Sequence, residues 1–183
     1  ARYCEYPVTI AGREGRWSRC RSRVPGCAAM GIYSSLSRVD ADSATAVLNG
    51  GPWPRPEMRE GERFRAILSL DKQWGVLQWL LRAAGCPVDP IMGTAFLEDQ
   101  AIEMAPPGYL DAVEVQAAAD FLRQLAFEAL TVLADEDAMD ADDVYPTGYD
   151  SERAEELRET FADLRRFYEA AAAAGQWVLT ELS

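Results

Sequence analysis

The sequence predicts a single α+β domain, a small antiparallel sheet covered by three main helices. Three observations predict it. Apolar residues recur with helical period in three long segments and alternate in short segments near both ends of residues 30–183. Helices and strands do not alternate as regular βαβ units, which removes the main reason to expect a parallel sheet. With 183 residues, 49% of them apolar, the chain is long enough for one core and short for two.

Residues 1–29 carry scattered glycines, two prolines and no persistent period, so they read as a flexible N-terminal extension or a start-site artefact. The domain is expected from Met30. In "MGIYSSLSRV", Ile32, Ser34, Leu36 and Arg38 alternate with Tyr33, Ser35, Ser37 and Val39, the pattern of a strand. Asp40 or Asp42 then caps a short helix through Leu48, and Asn49-Gly50-Gly51 stops it. The proline-rich "GGPWPRPEMREGE" reads as a surface loop, and Arg63 to Leu70 as a strand candidate. Asp71 is the expected N-cap of a helix over Lys72 to Ala84, apolar around most of its circumference and therefore buried.

After a loop, "GCPVDPIMGTAFLEDQ", the alternation of Ile102, Glu103 and Met104 suggests a strand that Pro106-Pro107-Gly108 ends. Asp111 and Glu114 have capping-box spacing, and Val115, Ala118, Ala119, Leu122, Leu125, Ala126 and Leu130 form one stripe of a continuous helix. Six acidic residues in the nine positions 135–143 read as a solvated loop, followed by a turn at "VYPTGYD". A helix from about Ser151 to Ala174 buries Leu157, Phe161, Leu164 and Tyr168, with Gly175 at its end. The last strand, from Gln176 to Leu182, puts Val178 and Leu182 on one face and Trp177 and Leu179 on the other.

The net charge of −12 is unevenly spread. Residues 1–29 hold six arginines against two glutamates, whereas residues 30–183 hold twelve basic and 28 acidic groups. An acidic body repels phosphate backbones, so nucleic acid is not expected as a partner, and either a basic protein partner or no charged partner is. No run of about twenty apolar residues suggests a membrane span, and no export signal is visible, which gives a cytoplasmic expectation. The four cysteines, at 4, 20, 27 and 86, form no C-x-x-C pair, and the chain has no histidine, so neither a structural metal nor any other cofactor is expected.

The missing histidine also removes Ser-His-Asp and Cys-His catalysis and the usual acid or base at neutral pH. No Walker loop or dinucleotide fingerprint is present. The acidic run lacks the ligand spacing and central glycine of an EF-hand. Met30-Gly31 matches an N-myristoylation pattern, but the same residues make a plausible core strand.

What remains is a set of candidate binding residues: Asp71, Lys72, Trp74, Tyr109, Tyr145 and Tyr149. Lys72 stands out because the chain otherwise uses arginine, 17 times. Each also has a purely structural reading. A lysine stem packs on apolar surface with its ammonium in water, tryptophans fill cores, and tyrosines beside a proline anchor a turn. Cys86 has no basic neighbour to lower its pKa and reads as structural. 

Several stretches in order, "MGIYSSLSRV", "LSLDKQWGVLQWLL", "PPGYLDAVEV", "VYP" and "AAAAGQWVLTEL", resemble the YfbM-like family, bacterial domains of unknown function. The likeness spans about residues 30–183, and Leu70, Asp71, Lys72 and Trp74 match its most specific element. It implies one compact α+β domain beginning at Met30 and supplies no activity. Two departures are visible: Tyr149 stands where the family commonly has tryptophan, and residues 1–29 have no counterpart. The expectation is a non-catalytic module that binds a basic protein, as immunity proteins cover basic toxins. The alternative is an enzyme or small-ligand binder in which Lys72 works with nearby carboxylates and aromatics.

Overall fold

The computed structural model describes residues 31–53, 66–97, 105–146 and 154–183. Five strands form one antiparallel sheet: β1 (Ser34–Val39), β2 (Ile67–Asp71), β3 (Ala95–Phe96), β4 (Gly108–Leu110) and β5 (Trp177–Leu182). Their order is β2-β1-β5-β4-β3, so the last strand lies at the centre. It pairs with β1 from Ser34 opposite Leu182 to Val39 opposite Trp177, and with β4 on its other side. The expected α+β class is what the chain adopts.

Six helices are described: α1 (Ala41–Leu48), α2 (Trp74–Ala83), α3 (Ala112–Gln124), α4 (Phe127–Leu133), α5 (Glu136–Ala141) and α6 (Ala154–Ala173). Strand alternation decides which helix meets which face. Leu36, Leu110, Val178 and Leu182 point toward the larger core, where α2, α3 and α6 contribute Leu77, Leu80, Ala118, Leu122, Phe161, Leu164 and Tyr168. Val39 and Leu179 point the other way and meet Ala44 and Val47 of α1. The three long helices therefore share one side of the sheet, and the short α1 holds part of the other.

Local signals set several boundaries as expected. The Asp40 carboxylate accepts the Ser43 N–H and caps α1, and Gly50 follows that helix with φ of 81°. Asp111 accepts from Val113 and Glu114 N–H while the Glu114 carboxylate accepts from the Asp111 N–H, a complete capping box on α3. Gly175, with φ of 62°, ends α6.

Tertiary structure overrides four other expectations. Asp71 is the last residue of β2, with a left-handed φ of 47°, and the N-cap of α2 is Gln73, which makes no side-chain capping bond. Lys72 therefore sits in a turn before the helix. The stripe read as one helix from 111 to 130 breaks at Leu125 and Ala126, both extended, because Phe127 and Leu130 must turn inward on a new axis as α4. The acidic run is not a loop: Asp135 accepts the Ala138 N–H and starts α5, whose Met139 is buried. Pro106-Pro107 leads directly into β4, whose first residue is Gly108, and the two-residue β3 lies in a segment read as loop. The strand expected around Ile102 and Met104 falls outside the described residues, as does most of the proline-rich loop.

Tyr168 fixes the 86–94 segment against the core, donating to the Pro90 carbonyl at 2.7 Å. Thr180 of the central strand donates to the Met92 carbonyl at 2.8 Å. Gly108 lies under that carbonyl, where a Cβ would overlap it. Among the described residues, no helix is long and apolar enough to cross a membrane.

Candidate functional site

Antiparallel pairing of β1 with β2 brings the start of one strand beside the end of the other, with Ser34 opposite Asp71. That register places Gly31, Ile32 and Tyr33 against Asp71, Lys72 and Trp74. The Ile32 backbone is held from both sides. Its N–H donates to the Tyr145 hydroxyl at 3.1 Å, and its carbonyl accepts from Trp74 Nε1 at 3.1 Å. Trp74 and Tyr145 also stack, with ring centroids 5.7 Å apart. These bonds satisfy the polar tips of two large aromatic rings, which is the condition for burying Trp74.

Two glycines lie at this junction, and the second is required by it, because the exposed Lys72 chain can swing aside whereas the backbone facing Gly75 cannot. A Cβ on Gly31 would overlap the end of the Lys72 side chain, and one on Gly75 would overlap the Tyr145 carbonyl oxygen. Gly75 thus lets the first turn of α2 approach the 145–146 backbone directly, which offsets its low helix propensity. Neither glycine is flagged by periodicity, since the demand comes from chain segments remote in sequence.

Lys72 itself is exposed, with Nζ 5.9 Å from the centroid of the Tyr33 ring. Among the described residues no carboxylate lies within ion-pair distance of it. A cation over an exposed ring is worth about 0.5–1 kcal/mol. Next to it Gln73 is buried, donating to Glu156 at 3.1 Å while its side-chain oxygen has no partner among the described residues.

Asp71, Lys72, Trp74 and Tyr145 are therefore brought together, and Tyr109 is not. Tyr109 lies on β4, facing the α1 side of the sheet, where it stacks on Trp177 with centroids 5.9 Å apart. Tyr149 falls outside the described residues.

A second feature was not visible in the sequence. A cavity of about 240 Å³ lies between α2 and the segment after it, lined among others by Leu81, Arg82, Cys86, Asp89 and Thr94. Its polar groups are mostly committed to the fold. The Asp89 carboxylate accepts from Gln78 and from the Ile91 and Met92 N–H groups. Burial pushes the Cys86 thiol up to about 11, so it is protonated and a poor nucleophile at neutral pH.

The exposed charge lies mainly elsewhere. From Gln124 to Glu152 the chain has nine carboxylates and no lysine or arginine. On α5 and the residues flanking it, Glu136, Asp137, Asp140 and Asp143 are exposed, and none has a basic partner among the described residues. Asp142 instead accepts from Trp79 Nε1 at 2.8 Å. Among the described residues, no three His, Cys, Asp or Glu side chains are grouped to hold a metal.

Comparison with known proteins gives a family and a fold. The family model described as "Domain of unknown function (DUF1877)" matches residues 30–180, most of the chain. No curated protein matches. Among solved structures, YfbM from Escherichia coli, a protein of unknown function, is similar with a TM-score of 0.57 and 18% identity, over 82% of this chain and 99% of that one. At that identity the likeness concerns the fold. It is the α+β arrangement expected from the sequence resemblance.

Proposed function

We propose that this chain, which belongs to the DUF1877 family, is a non-catalytic binding module whose partner is a basic protein. The observation that carries this reading is the exposed acidic segment around α5, where several carboxylates have no cation within the described residues to neutralise them. Such a surface accelerates encounter with a cationic partner and disfavours acidic proteins and nucleic acid. An immunity-like role, masking a basic toxin, is a specific form of this reading.

The small-ligand or enzymatic reading has less to support it. Lys72 is exposed, faces a tyrosine ring and has no carboxylate within ion-pair distance among the described residues. Trp74 and Tyr145, which would wall a site, spend their polar atoms on the Ile32 backbone.

Affinity capture from a lysate of the source organism, at low and moderate salt, tests the proposal. The expected result is a basic protein that is lost as ionic strength rises, because separated exposed charges are screened. Recovery of no protein at low salt, or of one whose binding is indifferent to salt, would overturn it.

A further inference from the structure

Helix α4 has two apolar faces, and only one is used by the core. Phe127 and Leu130 point inward and are buried. Ala126, Ala129, Val132 and Leu133, at helical spacing, form a second stripe that is exposed. Val132 is 84% exposed and Leu133 37%. A valine so exposed on a seven-residue helix gains nothing from burial and is a weaker helix former than Glu, Gln or Ala. A single exposed apolar residue needs no explanation, but a stripe of them contiguous with uncompensated charge is the composition of an interface.

The charge around the stripe is asymmetric. Toward Ala126, the nearby arginines among the described residues are engaged: Arg123 with Asp120 and Glu169, Arg158 with Glu128 and Glu155, and Arg165 with the Leu125 carbonyl. Beyond Leu133 come Asp135, which caps α5, then Glu136, Asp137 and Asp140, with no arginine or lysine paired to them among the described residues. Among the described residues, the unpaired charges that follow Val132 and Leu133 in the chain are negative.

We infer that the exposed face of α4, together with α5, is a docking surface for an amphipathic cationic segment of a partner protein, with apolar side chains on Val132 and Leu133 and flanking Arg or Lys on the α5 carboxylates. This inference rests on the binding reading above and locates it. The apolar contact supplies the short-range term that charge alone lacks, while the carboxylates select the partner's sign.

The test uses the full chain and two short helical peptides, one with leucines at i, i+3 and i+4 flanked by arginines, the other with those leucines replaced by serine. Binding is followed by amide chemical shifts at low ionic strength. The expected result is that the leucine–arginine peptide perturbs residues 126–143 and loses about tenfold in affinity on Val132→Ser with Leu133→Ser, while the serine peptide binds more weakly and ignores those substitutions. If the double variant does not fold, Val132→Ser alone serves, since that side chain lies outside the core. Equal binding of both peptides, unaffected by the variants, or shifts elsewhere on the surface, would overturn the docking face and leave the electrostatic reading standing. Failure of both peptides to bind would overturn both.

Discussion

Tyr168 illustrates how much a single side chain holds. It is fully buried, and its hydroxyl donates to the Pro90 carbonyl, tying α6 to the segment that leads into β3. Burial, with lesser contributions from the Asp89, Cys86 and Glu114 charges, raises its phenol well above the ordinary value of 10. Above pH 10 the unfolded chain loses this proton while the folded one keeps it, so the unfolded state binds fewer protons and stability falls as pH rises. Tyr168→Phe should cost about 1–3 kcal/mol at neutral pH, through the lost bond and the stranded carbonyl, and should also reduce the loss of stability above pH 10. Denaturant unfolding at neutral and alkaline pH checks both; an unchanged alkaline slope would assign the sensitivity to another group. The sequence showed Tyr168 as a buried position on a helical stripe. Its acceptor was invisible, because Pro90 is brought to it only by the tertiary fold.

At the scale of elements, what was legible in the sequence was what neighbours in the chain decide. The Asp111 and Glu114 box lies within one turn, so spacing alone identified it, and the structure contains both of its reciprocal bonds. Asp111→Ala should destabilise the protein by about 1 kcal/mol and Asp111→Asn by much less, read from the midpoint of denaturant unfolding. If the two substitutions cost the same, the cap is not what fixes the start of α3. Conversely, Asp71 has the right residue type for a cap and is not one, because pairing with Ser34 of β1 draws it into β2. The break between α3 and α4 was hidden for a related reason: the apolar period runs on through Leu125 and Ala126, and only the packing of Phe127 beside Phe161, with centroids 5.9 Å apart, shows the change of axis. The candidate site divides the same way. Lys72 and Trp74 were readable as neighbours, whereas their meeting with Gly31, Ile32 and Tyr145 depends on strand order.

For the whole molecule, charge is the dominant global property. Residues 30–183 carry a net −16, and the ion pairs of the described residues are exposed ones, each worth little in water. Self-repulsion should therefore exceed the benefit of these pairs, so the melting temperature is expected to rise as sodium chloride is added from low ionic strength. A fall in Tm under the same titration would mean that the surface pairs prevail.

The central place of β5 has a consequence for biosynthesis. Trp177 to Leu182 fill the gap between β1 and β4, and no other described strand joins those two. While a ribosome is still adding these residues, the growing chain holds a sheet in two unconnected parts, with Leu36 and Leu110 lacking Val178 and Leu182 beside them. Closure of the sheet must wait until this segment has left the exit tunnel. The domain therefore completes its fold only after its central strand has been made, and until then its nascent strands and apolar faces are open to chaperones.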